Sequence, residues 1–477
     1  MKGDFTRDTF DESKQFTRVL SQQGRVEVDA DSNEQTAILL HYLQALAADL
    51  IGPHGGPADI IVTEQGGEER LTKVNCGFEI IATEDRIRAL PDSEDKEALI
   101  NLLKQSNPQL LLGKGRYYVD GLLCENPSYR AFSNQPGYPF PDQPPPFAAN
   151  QSYLVYLDIW ERHLTYLEME DTDGSVISIR EAALNGSDTA TRAQVVWQVR
   201  IKATGISVED AKDYDKFLAE LEDEIQPGTG QLRAQAIKVT SAPEDACITP
   251  PESRYRGAEN QLYRVEIHNE GTAGNGATFK WSRENGSVIF SIRKIGTGSV
   301  TLYNLGRDER FGLKPGDWVE VVDDDYSLQN LSQQLLQVDT INYDDQVVTF
   351  KGGSATISQD VTKHAFLRRW DQRAANGVLE ITESTTNWID LEDGIQIQFQ
   401  PGGTYQTGDY WLIPARTATG DVEWPGPKSA PEARPPHGID HHYAPLWIIS
   451  ETSGSLTVDP DDDLRRQFKQ LGLSKTV

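Results

Sequence analysis

Phe279-Lys280-Trp281-Ser282-Arg283-Glu284-Asn285-Gly286-Ser287-Val288-Ile289-Phe290-Ser291-Ile292 decides how the rest of the chain is read. Aromatic and β-branched residues flank an Asn-Gly pair, the dipeptide best suited to a turn with two positive φ angles. The segment predicts a β-hairpin, and the stretches on either side predict more strands. Tyr263 to Ile267 alternates with Tyr263, Val265 and Ile267 inward. Tyr153 to Trp160 is apolar almost throughout, as in a strand buried on both faces, and Gln194 to Ile201 is a further strand. Arg116 to Val119, the Asp120-Gly121 turn and Leu122-Leu123 predict a second hairpin. Downstream, Gly312 to Phe350 carries a Pro315-Gly316 turn, an alternating strand from Trp318 to Val322 and a meander through Val338–Ile341 and Val347–Phe350. That suits a small five-stranded barrel, which leaves no open edge. Ile395, Ile397 and Phe399 alternate strictly, and Tyr410 to Ile413 follows as another strand.

The expected fold class is therefore mainly β and multi-domain, with antiparallel sandwiches or barrels preceded by an arm and a helix. The expected succession is an arm and helix over 1–57 and a β-rich module with a short helix over 58–135. A proline-rich linker over 136–150 leads to a sandwich-like module over 151–311 with a helical insertion near 206–225. The small barrel over 312–364, a C-terminal β module over 365–452 and a tail over 453–477 complete it. No repeat of 20 to 50 residues recurs, which excludes a propeller or solenoid.

The first 35 residues are polar and aperiodic. The chain opens without a charged-then-apolar leader, so no secretion signal is expected. From Asn33 the pattern turns helical. Leu39, Leu43, Leu46 and Leu50, with Leu40 and Ala47 alongside, form one stripe, and Gly52-Pro53 ends it. The stripe is expected to pack on a neighbouring sheet, as is a shorter helix over Ser93 to Lys104.

Composition narrows the function. The net charge is −28, from 73 acidic against 45 basic residues. Such a surface repels phosphate backbones, so neither nucleic acid nor an anionic membrane face is an expected partner. No apolar run is long enough for a membrane span. Cys76, Cys124 and Cys247 are odd in number and widely spaced, which fits neither a disulfide framework nor a zinc knuckle and suits synthesis in a reducing cytoplasm.

Local constellations point to no catalyst. Pro436-His437-Gly438-Ile439-Asp440-His441-His442-Tyr443 has three imidazoles, but His441 and His442 would face opposite ways on a strand. His437 and His441 are the candidate metal ligands there, and the expectation is structural: no metal and no cofactor. Asp171-Thr172-Asp173-Gly174 begins like a calcium loop yet has Ala182 at the closing position. Asp323-Asp324-Asp325 and Asp459-Pro460-Asp461-Asp462-Asp463 read as solvated turns. Ser187 lacks the G-x-S-x-G elbow of a nucleophile.

Several stretches occur together in one family. They are Met1-Lys2-Gly3-Asp4-Phe5-Thr6-Arg7, Val26 to Gln35, Asp188 to Arg192 with Val195 to Arg200, Tyr263 to Asn269, Phe279 to Val288, Gly408 to Arg416, and His441 to Leu446. Over about its first 450 residues the chain resembles a functionally uncharacterised bacterial family found beside genes of phage-tail-like contractile injection systems. The resemblance implies a particle component at the baseplate or its periphery. Its partners would be baseplate, sheath or spike neighbours, or further copies of itself. It brings no catalytic residues.

Made in the bacterial cytoplasm, such a protein would be incorporated into the particle. The expected contact residues are Phe5, Arg7 and Phe10 of the arm, the strand edges beside Trp281 and Trp411, and His441 with His442. The rival class is a fibre-like or glycan-binding module, marked by Trp or Tyr exposed in a groove. A third is a cell-wall hydrolase, marked by two carboxylates sharing a cleft.

Overall fold

The Asn285-Gly286 segment forms its turn but not its hairpin. In the computed structural model Asn285 and Gly286 both have positive φ, and the Ser287 N–H donates to the Glu284 carbonyl at 2.9 Å. The strands on either side part company. Thr278–Ser282 pairs with Gln261–Asn269, whereas Ile289–Gly296 pairs with Ser299–Leu302 and Phe366–Trp370. Local chemistry fixed the turn, and better partners elsewhere in the chain took each strand.

The structure describes residues 1–65, 68–74, 76–90, 94–135, 147–168, 179–236, 254–306, 308, 310–353, 360, 363–452 and 455–468. Most of the proline-rich linker, the Asp171–Gly174 cluster, Cys247 and the end of the tail lie outside them. The fold is mainly β, built from several largely antiparallel sheets. Among the described residues no helix is long and apolar enough to cross a membrane.

Two compact units are each assembled from three separated stretches of the chain. The first unit comprises Met1–Thr36, His163–Ala193 and Pro227–Ile439. Its five-stranded sheet runs Leu379–Glu380, Thr278–Ser282, Gln261–Asn269, Tyr410–Arg416, Asp421–Val422. Val265, Ile267, Phe279, Trp411 and Ile413 of that sheet pack on Ala234, Ile395, Ile397 and Phe399 of a three-stranded sheet, making a sandwich core. A closed barrel of six strands follows, not five. Ile289–Gly296, Ser299–Leu302 and Phe366–Trp370 join Trp318–Val322, Leu336–Asn342 and Val347–Phe350. Three strands within 312–364 cannot close a barrel, so the flanking sequence supplies the rest.

The second unit comprises Ala37–Arg162, Gln194–Gln226 and Asp440–Val477. Ser152–Leu164 lies inside a four-stranded sheet beside His441–Thr452 and is buried on both faces from Tyr153 to Trp160, as its sequence predicts. One face joins the main core, and the other meets three short helices between Val208 and Ile225 through Leu154 and Tyr156. The expected Asp120-Gly121 hairpin forms, with Val119 opposite Leu122. The described part of the tail is paired: Ser455–Asp463 with His441–Thr452, and Gln467–Phe468 in parallel with His54–Pro57. Asp323 is not a solvated turn either, since it is buried and caps the helix Asp324–Leu328.

Candidate assembly surfaces

The long helix, Asp29–Ile51, carries its apolar stripe on the wrong side for packing within the chain. Leu39, Leu43, Leu46 and Leu50 are 53, 62, 56 and 65% exposed. At 3.6 residues per turn they fall within an arc of roughly 60°. Ala37, His41, Gln44 and Ala48 lie on the opposite side and are half-buried, with Ile38 fully buried beside them. The expectation that the leucines pack on a neighbouring sheet is therefore overturned. The small and polar side packs instead.

That packing depends on a tight seat. A Cβ on Gly121 would come within 2.1 Å of the Gln44 carbonyl oxygen, and Gly121 has φ +80°. Asp120, its partner in the turn, accepts a hydrogen bond from His442 Nδ1 at 3.0 Å. His442 thus braces the turn on which the helix rests. His441, one residue earlier, faces the other way, as alternation on a strand requires. It pairs with buried Asp158 at 2.7 Å and stacks on Trp160. Arg200 also reaches Asp158, at 3.0 Å. His437 instead lies against the Tyr410 ring. The three histidines thus have separate partners, and among the described residues no group of three or more His, Cys, Asp or Glu side chains could hold a metal ion.

In the first unit, residues 1–10 are fastened to the sheet of their own chain. Lys2 pairs with Glu266 at 2.9 Å, and Arg264 donates to the Met1 carbonyl at 3.2 Å. Asn285 Nδ2 donates to the Gly3 carbonyl at 3.0 Å, so the predicted hairpin turn is a receptor for the arm. Phe5 meets the His163 ring edge-on. Arg416 donates to the Thr6 carbonyl, and Arg7 pairs with Glu423 at 3.0 Å. Phe5, Arg7 and Phe10 are each only partly exposed. From residue 11 onward the arm opens: Phe16, Leu20, Val26 and Val28 are all strongly exposed.

Beneath the arm lies a buried ionic network that the alternation of Gln261–Asn269 conceals. Arg264, Glu266 and His268, on the side opposite Val265 and Ile267, are all buried as well. Lys280 sits 3.5 Å from Glu266 and 2.7 Å from Glu320, and Trp370 Nε1 donates to Glu320 at 2.9 Å. Burial pushes the Glu266 carboxyl up, but Lys2, Arg264 and Lys280 together hold it well below the usual range. The signal available in sequence was the cross-strand pairing of Glu266 with Lys280, which needs the register to be seen.

Trp281 and Trp411 are 4% and 1% exposed and lie in the sandwich core. Both are on inner strands of the five-stranded sheet, with a strand on each side, whereas the contact expected there was at the strand edges beside them. None of the nine tryptophans is strongly exposed, whereas Tyr42, Tyr303 and Tyr343 are.

These features define a mainly β protein whose exposed apolar side chains gather at one end of its sequence. Eleven of the sixteen large apolar side chains that are strongly exposed among the described residues fall within the first 50. A family of unknown function, DUF6519, matches residues 1–65, 89–236 and 228–455, and the chain belongs to it. No curated protein and no solved structure matches the chain.

Proposed function

We propose that this chain is a structural component of a phage-tail-like contractile injection particle, docking at the baseplate or its periphery. The observation that carries an assembly role is the gathering of exposed apolar side chains between Phe16 and Leu50. Exposed apolar side chains in such number are costly in a monomer and mark places where another surface sits. The particle itself comes from the family resemblance. Residues 1–10 act as the root of the arm, holding it to its own sheet. The exposed part beyond them reaches a neighbour and orders fully on docking.

The test is to purify particles from the producing cell with the chain either native or carrying Phe16→Ser, Leu20→Ser and Val26→Ser. The native chain is expected to co-sediment with particles, and the triple variant to fold yet be lost from them. Full occupancy by the variant would move the anchor away from the arm. A native chain that never accompanies particles would remove the reading.

A further inference from the structure

We infer that the leucine face of the helix Asp29–Ile51 is a seam that packs against the same helix of a second copy of this chain. The spacing of Leu39, Leu43, Leu46 and Leu50 is four, three, four. That is the alternation of d and a positions by which two helices interlock knobs into holes. Written in that register, the positions beside the seam are Leu40, Ala47, Tyr42 and Asp49. Leu40 and Tyr42 are also exposed, so the seam is broad and nearly free of charge.

The charge pattern selects among occupants. The helix contains no Lys or Arg and carries Asp29, Asp31, Glu34 and Asp49. A helix lying on a lipid surface presents cations to the headgroups, and this one has none to present. A basic protein partner would need carboxylates along the rim of the seam, where Asp49 alone stands. What fits an uncharged stripe with leucines in heptad spacing is another such stripe. A two-fold axis supplies it without any further design, because the same patch serves both copies.

The size is sufficient. Five leucines and a tyrosine, each about half to two-thirds open, leave on the order of 600 Å² of apolar surface per copy, so a pair removes about 1,200 Å², the lower end of the specific-interface range. The helix is already formed and seated on Gly121, so association does not have to fold it.

The experiment is sedimentation equilibrium on the full chain, native and as Leu43→Glu with Leu46→Glu. Both leucines are exposed, so the variant should keep its circular dichroism. The native protein is expected at a multiple of 53.1 kDa and the variant at 53.1 kDa, at least a two-fold drop. A native protein of 53.1 kDa at every concentration would overturn the inference, as would a folded double variant that keeps the oligomer's mass. Native protein that floats with lipid vesicles, where the variant does not, would overturn it in favour of a lipid occupant. The inference does not rest on the particle reading: a chain that self-associates but never accompanies particles keeps the one and loses the other.

Discussion

Glu266 and Asp409 are both buried carboxylates of the first unit, and their surroundings give them opposite energetic signs. Glu266 is enclosed by Lys2, Arg264 and Lys280, so replacing it with Gln takes its charge from the buried Arg264 and leaves Lys280 with Glu320. Removing one member of a buried ionic group generally costs about 3–5 kcal/mol. Glu266→Gln is therefore expected to lower the unfolding free energy of the first unit by that amount in a denaturant titration. Lys2→Ala, at the half-open edge of the same network, should cost less than about 1 kcal/mol.

Asp409 is 8% exposed and one of its oxygens, Oδ2, has no hydrogen-bond partner among the described residues. Burial pushes its pKa from 3.8 up to about 6. The folded state then holds this proton more tightly than the unfolded chain does. Its contribution to stability rises as pH falls from about 6 to 3.8 and is least favourable above 6. Asp409→Asn should accordingly stabilise the protein by about 1–3 kcal/mol at pH 7, with the gain gone below pH 4. Denaturation at both pH values checks it, and a gain independent of pH would rule out the carboxylate as its source.

At the scale of elements, the helix and the turn beneath it make one mechanical piece. Gly121 must be glycine on two counts, a φ of +80° and the Gln44 carbonyl where a Cβ would be. Gly186 shares the positive φ, at +76°, but a Cβ there would meet nothing within 4 Å. Gly186→Ala should cost about 1 kcal/mol from backbone strain alone. Gly121→Ala should cost about 2 kcal/mol or more and raise amide exchange along Ala37 to Ala48, because the helix must lift from its seat. Equal effects of the two substitutions would show that the close approach does not hold the helix.

The same elements show what a sequence can and cannot disclose. The Asp120-Gly121 hairpin, the doubly buried strand from Tyr153 and the helical insertion at Val208 to Leu221 were legible, since each rests on interactions within a few residues. The Asn285-Gly286 hairpin was misread because turn chemistry is local whereas strand pairing is decided by distant partners. The barrel closes as expected, but its strand count was misread for the same reason, since three of its six strands come from outside 312–364. The leucine stripe was read correctly as a stripe and wrongly as core. Periodicity reveals that a helix has an apolar face but not which surface covers it. Trp281 and Trp411 lie in the core, whereas the contact expected there was at the strand edges beside them.

For the whole molecule, a charge of −28 must be reconciled with a surface that seeks its own copy. Two like-charged copies repel over distances set by the ionic atmosphere, about 8 Å at physiological salt and about 30 Å at 0.01 M. The leucine seam itself is short-ranged, nearly uncharged and indifferent to that screening. Salt therefore removes the opposing term and leaves the favourable one. Self-association through the seam is expected to tighten several-fold as sodium chloride rises from about 0.01 to 0.15 M, with the native chain followed by sedimentation equilibrium at each step. A complex driven by the acidic surface would respond in the opposite sense, because its attraction would be the part that salt screens. If association instead weakens as salt is added, charges hold the copies together, and the contact lies elsewhere than Leu39, Leu43, Leu46 and Leu50.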